Sequence, residues 1–266
     1  MMHDFAITET KALFLDLNVA YDFALLEQGA PMPLRWHDDR TARIGVTPRH
    51  RGPTRWVEVE PCFVQHVINA YDATPDIVVL DVVRYPSFLR FDENTRGYDP
   101  NPLGVAWRYT IDLSSDHGTV AETQLDDRSI ELPRINEAWV GRAARFTYAV
   151  EQPTDVEMRG IIKYDLLNGT TQQHRVPFGD QNSEPIFVPR PGGTTEDDGW
   201  VIACVYRGRT DSTDVVVLDA GDIASVPVAV VHLPCRVPAG FHGAWVNGQF
   251  GVHREARRST GSERRR

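Results

Sequence analysis

The sequence predicts an all-β protein, and three observations carry that expectation. Apolar residues recur with period two along several segments, as they do in a strand with one buried face. No segment keeps helical periodicity for more than about two turns. Glycine and proline are frequent, at 20 and 18 of 266 residues, and they cluster between the alternating segments, where turns are needed.

Taken in order, the elements are these. In residues 11–19, Leu13, Leu15, Leu17 and Val19 share one face, with Asp16 and Asn18 on the other. Residues 77–83 are apolar on both faces, as a strand buried in a stack of sheets would be. Residues 105–113 return to alternation, with Trp107, Tyr109, Ile111 and Leu113 opposed to Arg108, Thr110 and Asp112. Residues 114–118 link them by a longer hairpin to a strand over 120–125, and Phe146, Tyr148 and Val150 repeat the alternation. Asn168-Gly169, after residues 161–166, is a two-residue hairpin signal, because both central residues of that turn take φ > 0. Residues 199–206 and 214–218 again read as strands buried on both faces. The proline-rich loop 189–193 and the acidic loop 194–199 interrupt strands without marking a domain boundary. Periodicity alone leaves sandwich, barrel and propeller open, and sequence repeats at the ~40–50-residue spacing of propeller blades are only loosely visible.

Composition narrows the class. Hydrophobic residues make up 41% and charged residues 24%, which permits a packed core and excludes wholesale disorder. No apolar run approaches the roughly 18–20 residues of a membrane-spanning helix, and the N-terminus lacks the pattern of a secretory signal. Cys62, Cys204 and Cys235 are odd in number and widely spaced, which suits reduced thiols in a cytoplasmic protein. The net charge is −9, yet residues 254–266 hold six arginines against Glu255 and Glu263, a local balance of +4 that leaves −13 on the rest. An acidic body repels nucleic acid, and the Arg-rich end at 251–266 reads as a solvated, disordered tail.

Three histidines have distinctive settings. His3 lies in Met-Met-His-Asp-Phe-Ala-Ile-Thr-Glu (1–9), and His66 in Glu-Pro-Cys-Phe-Val-Gln-His-Val-Ile-Asn-Ala-Tyr (60–71). His242 lies in Gly-Phe-His-Gly-Ala-Trp-Val (240–246). Their separation rules out a local finger-type site, so they can meet only through a closed architecture. The other six, at 37, 50, 117, 174, 232 and 253, sit in charged loops or in settings without a motif and read as ordinary surface or core residues. Two further segments stand out: Glu131-Leu-Pro-Arg-Ile-Asn136 and Ser183-Glu184-Pro-Ile-Phe-Val-Pro-Arg190.

These contexts, in this order, resemble the carotenoid cleavage oxygenase family, whose bacterial members include lignostilbene dioxygenases. The resemblance runs through nearly the whole of residues 1–250. It implies an incomplete seven-bladed β-propeller, roughly the C-terminal four to five blades, over residues 1–250. The family holds a non-haem Fe(II) with four histidines near the propeller axis, and His3, His66 and His242 match three of them. It also secures three histidines through glutamates, so Glu131 is expected to orient His66 and Glu184 to orient His242; a carboxylate on one imidazole nitrogen turns the other toward the metal. The glutamate expected to support His3 and the first histidine belong to a segment upstream of the one matched here. The implied reaction splits a conjugated C=C bond of a carotenoid, apocarotenoid or stilbene with dioxygen into two carbonyl products, in an apolar tunnel. Phe5, Phe63, Phe241 and Trp245 flank the ligand positions as candidate tunnel walls or plain core. An apolar polyene or stilbene is the implied partner, and peripheral membrane contact is compatible with it. A competing expectation is an inactive propeller remnant, and a third is a half-propeller completed by a complementing chain.

Other chemistries lack their motifs. There is no Gly-x-Ser-x-Gly, P-loop or dinucleotide fingerprint. Asp126-Asp127 and Asp197-Asp198 lack the alternating ligand spacing of a calcium loop and read as solvated loop carboxylates.

Overall fold

The computed structural model describes residues 1–246 and is all-β, with one single-turn helix at Ala24–Glu27 and one 3-10 turn at Glu137–Trp139. The expected tail at 251–266 and the last residues of the expected 1–250 unit lie outside the described residues.

Four antiparallel meanders, each of about four strands, follow one another along the chain. The first runs Ala6–Ile7, Lys11–Asp16, Arg43–Pro48, Arg55–Glu58. The second runs Phe63–Asp72, Ile77–Tyr85, Val105–Asp112 and into the 16-residue strand Thr119–Arg134. That long strand is shared. Its first part pairs with Val105–Asp112 and its last part with Phe146–Glu151, which opens the third meander through Ile161–Asp165 and Thr170–His174. In the fourth, Gln181–Asn182 and Ile186–Pro189 both pair with Gly199–Arg207, followed by Ser212–Asp219 and Ala229–His232.

The meanders bury their faces against one another in sequence order. Leu13, Leu15, Ile44 and Val46 of the first pack with Val78, Leu80, Val82 and Ile111 of the second. Phe63, Val83 and Ala106 of the second meet Ile130, Ala149 and Ile162 of the third. Tyr148 and Ile161 of the third meet Val201, Val205 and Leu218 of the fourth. An interior meander therefore covers both faces, which is why Ile77–Tyr85 is apolar on both faces apart from Asp81 and Arg84.

Several expectations need correction. The alternation of buried and exposed residues expected around Phe146, Tyr148 and Val150 is absent: Thr147 and Ala149 are as buried as Tyr148 and Val150, because a small threonine and alanine fill the second face of an interior sheet. Asn18 faces inward and is fully buried, where its amide donates to the His37 and Arg40 carbonyls and its oxygen accepts the Cys62 N–H. At Asn168-Gly169 only Gly169 takes a positive φ, of 66°. The turn is the longer loop 166–169, in which the Asp165 carboxylate accepts the N–H groups of Leu167 and Asn168 and so supplies the turn's closure. The strand expected over 120–125 extends to Arg134. All three cysteines are free. Among the described residues no helix is long and apolar enough to cross a membrane.

Candidate metal centre

His66, Glu131 and Glu184 each sit where a sheet ladder is interrupted. On the Phe63–Asp72 strand the register shifts on either side of Val67, so the His66 segment bulges out of regular pairing. The Val67 N–H is released from the ladder and donates to Asp4 Oδ2 at 2.9 Å, which ties the His3 segment to this strand. On Thr119–Arg134 the register shifts between Glu131 and Arg134, and Leu132 takes φ 51°. A leucine in the left-handed region, followed by Pro133 without an N–H, re-aims the Glu131 side chain inward. Glu184 and Pro185 separate the two short strands that share Gly199–Arg207 as a partner, with Ser183 bridging the gap through its N–H to the Cys204 carbonyl at 2.8 Å.

The three singled-out histidines converge. One ligand atom from each of His3, His66 and His242 lies within 4.8 Å of the others. The ring centroids of His3 and His66 are 5.3 Å apart at 80°, and those of His66 and His242 are 5.0 Å apart at 81°. Both expected glutamate contacts are present. Glu131 Oε2 is 2.5 Å from His66 Nδ1, and Glu184 Oε1 is 3.1 Å from His242 Nδ1. A carboxylate can only accept here, so each Nδ1 carries the proton and each Nε2 lone pair is turned away from its glutamate. His66 Nε2 is buried and has no hydrogen-bond partner. An orphaned imidazole nitrogen beside two further imidazoles is a donor set that fits a first-row metal ion. His3 has no carboxylate on its ring among the described residues.

The glutamates are themselves held. At 3% and 4% exposure, neither Glu131 nor Glu184 is a surface charge at a strand end. Glu131 also accepts the Tyr85 hydroxyl and the Leu132 N–H. Glu184 accepts the Gly243 N–H at 2.8 Å and Arg134 Nη1 at 3.4 Å. Burial alone would lower the His66 pKa, but the hydrogen bond and charge of Glu131 outweigh it and raise it above the ordinary 6.5. The His3 pKa is lowered, first by burial and then by the charge of His66. Burial, followed by the Glu131 charge, pushes the Tyr85 phenol far above the usual tyrosine range, so it stays a donor.

One side of the cluster opens into a cavity of about 830 Å³ whose walls include Phe88, Leu103, Val156, Met158, Val237 and Phe241. Of the four aromatics considered from sequence, only Phe241 lines it. Phe63 is core at 1% exposure, stacked on Phe88; Phe5 stacks on Phe14; Trp245 lies outside the lining. Tyr85, Asp4 and Arg134 were not singled out from sequence. Asp4 and Arg134 stand inside the motifs quoted above, one residue after His3 and three after Glu131, which is the signal that pointed to them. Tyr85 carries no such signal.

Among the described residues no other histidine joins the cluster; His232 bonds Asp214 at 2.7 Å with most of its ring exposed, and His253 lies outside the described residues. Three of the loop aspartates are paired rather than solvated: Asp126 with Arg128, Asp197 with Lys163 and Asp198 with Arg190.

An all-β chain that brings three imidazoles together beside an apolar cavity, two of them braced by buried carboxylates, defines a candidate metalloprotein. The chain belongs to the RPE65 (retinal pigment epithelial membrane protein) family, whose profile matches residues 1–247. The apocarotenoid-15,15'-oxygenase of Synechocystis sp. is 35% identical over 257 residues, covering 92% of this chain and 51% of the relative. A carotenoid cleavage oxygenase of Mycobacterium tuberculosis is 36% identical over 226 residues, covering 80% of this chain and 44% of the relative. The crystal structure of cobalt-substituted Synechocystis ACO superposes with a TM-score of 0.83 at 32% identity, covering 93% of this chain and 53% of that one. The chain spans about half the length of the relatives it matches.

Proposed function

We propose that this chain carries the metal centre of a non-haem Fe(II) dioxygenase that cleaves a conjugated C=C bond of a carotenoid, apocarotenoid or stilbene into two carbonyl products. The observation that carries this reading is the meeting of His3, His66 and His242 at the wall of the 830 Å³ cavity. The names of the relatives, an apocarotenoid oxygenase and a carotenoid cleavage oxygenase, support the substrate class, and the cobalt-substituted neighbour supports a metal there. Residues 1–250 are read as part of a seven-bladed β-propeller, and the four successive meanders packed face to face support four of its blades.

In this reading His3, His66 and His242 are the ligands, with Glu131 and Glu184 fixing the tautomers of the last two. Fe(II) supplies the dioxygen-activating redox chemistry when bound. The chain's own part is positional. Glu131 and Glu184 each accept an Nδ1 proton, which leaves Nε2 as the ligand atom and keeps it directed inward. The apolar wall from Phe88 to Phe241 aligns an extended polyene beside the cluster and excludes water from it. The balance is one alkene and one dioxygen to two carbonyls, with no net proton transfer.

The test is anaerobic loading with Fe(II), followed by isotopically labelled dioxygen and either an apocarotenoid or a hydroxystilbene. Two carbonyl products, each carrying one labelled oxygen before exchange, are expected from one of them. Iron-loaded protein that forms no oxygen-dependent product from either class would refute the proposal.

A further inference from the structure

A second cavity, of about 550 Å³, also reaches His3, His66 and His242. The two cavities lie on opposite sides of the histidine cluster, and the strands that cross it show this. Gln65 lines the large cavity and Val67 and Ile68 the small one, with His66 common to both. On the next strand Glu131 and Leu132 line the large cavity, and Pro133, Arg134 and Ile135 the small one. Ser183 faces the large cavity and Glu184 the small one. The cluster is thus a layer with two separate approaches.

The approaches differ in chemistry. The small cavity holds Asp4, Glu137 and Glu184 against a single permanent cation, Arg134. Glu137 is 60% exposed and stands on the single 3-10 turn. Arg134 lies between the outer and inner carboxylates, with Nη2 2.5 Å from Glu137 and Nη1 3.4 Å from Glu184. A protein cation already occupies the path from solvent to the histidines, so a positive charge is accommodated along it. At its inner end is the unpartnered Nε2 of the buried His66. In the large cavity Glu131 accepts from His66, Leu132 and Tyr85, and the one other carboxylate, Asp155, shares a mostly apolar lining with Arg236, which pairs with Asp211. A hydrated divalent cation sheds water reluctantly, and an apolar wall offers nothing in exchange, whereas carboxylates do.

We propose that the polar cavity is the route by which a divalent metal ion reaches His3, His66 and His242, with Glu137 attracting it at the mouth and Arg134 yielding its place between Glu137 and Glu184. The apolar cavity then serves the organic substrate alone, so metal and substrate reach the cluster from opposite sides. This inference rests on the metal-centre reading above.

The experiment is stopped-flow mixing of the full chain with Co(II) at low ionic strength, following the d–d absorption band. Glu137→Gln is compared with Asp155→Asn, which removes one carboxylate from the other cavity. Glu137→Gln is expected to slow association roughly threefold, as loss of one steering charge does. Asp155→Asn should leave the rate unchanged, and the difference should shrink in ~1 M salt, where the screening length falls to about 3 Å. Arg134→Gln should speed association, which a merely structural role for the pair would not do. Equal rates in both variants, or a larger slowing in Asp155→Asn, would overturn the route while leaving the metal centre intact. No cobalt band in the unsubstituted chain would instead remove the centre itself, and the route with it.

Discussion

Glu131 accepts the Nδ1 proton of His66 at 2.5 Å from the point where its own strand loses register. The contact depends on irregular backbone at both ends, a bulge around His66 and a left-handed Leu132 beside Glu131. Regular pairing would send the two side chains to fixed faces of their sheets, and the interruptions free them to meet.

Removing the acceptor should show what it holds. Glu131→Gln removes the negative charge and leaves one oxygen where two served three donors, so Co(II) or Fe(II) affinity should fall by about 10–100-fold. Tyr85→Phe keeps the ring that packs against Phe63 and Phe88 and removes only the hydroxyl on Glu131. Its loss of affinity should be smaller, and the cobalt spectrum should change without a change in fold. Calorimetric titration of both variants checks the order; a larger effect from Tyr85→Phe would contradict it.

The three histidines should not be equivalent. His242 is braced by Glu184, whereas His3 has no carboxylate on its ring among the described residues. His242→Ala should therefore abolish measurable metal binding, and His3→Ala should weaken it less. The Asp4 contact to the Val67 N–H fixes the backbone beside His3 but not its ring. Metal titrations of the two variants decide the matter, and a greater loss in His3→Ala reverses the ranking.

The all-β class was legible because strand periodicity is a local property, and Leu13, Leu15 and Ile111 are buried as their alternation requires. The pairs His66–Glu131 and His242–Glu184 were legible through the motifs around them, not through periodicity; nothing local says that residues 65 and 58 positions apart will touch. What escaped was context-dependent. Phe146–Glu151 alternates large with small residues, not buried with exposed ones, because a neighbouring sheet covers its second face. Tyr85 ends a mostly apolar strand, and its hydroxyl acquires a meaning only once the Leu132 irregularity has brought Glu131 within reach.

The second meander contains a buried ion pair whose loss should be severe. Asp81 is 2% exposed and is gripped by Arg108 through Nε at 2.7 Å and Nη2 at 2.8 Å. Arg108→Met retains the apolar stem and leaves a buried carboxylate without its cation, which should cost about 3–5 kcal/mol. The double variant with Asp81→Asn should recover most of that loss. Urea midpoints measure both. Burial already pushes the Asp81 carboxyl above its ordinary value despite Arg108, so the single variant should suffer less at pH 5 than at pH 7, where ionisation is demanded.

His174, at the end of the outer strand Thr170–His174, should contribute to acid sensitivity independently of any metal. Its pKa is lowered from 6.5, first by burial and then by the positive charge of Arg207. A histidine with a depressed folded pKa binds its proton more tightly when unfolded, so protonation favours the unfolded chain. Its contribution is fully present above pH 6.5 and is lost as pH falls from there through the lower folded value. His174→Gln removes this titration and keeps a polar side chain of similar reach. Thermal midpoints measured from pH 7.5 to 5 should therefore fall less steeply in His174→Gln than in the unsubstituted chain, and the two curves should run parallel above pH 7. Curves that stay parallel down to pH 5 would show that His174 titrates alike in both states.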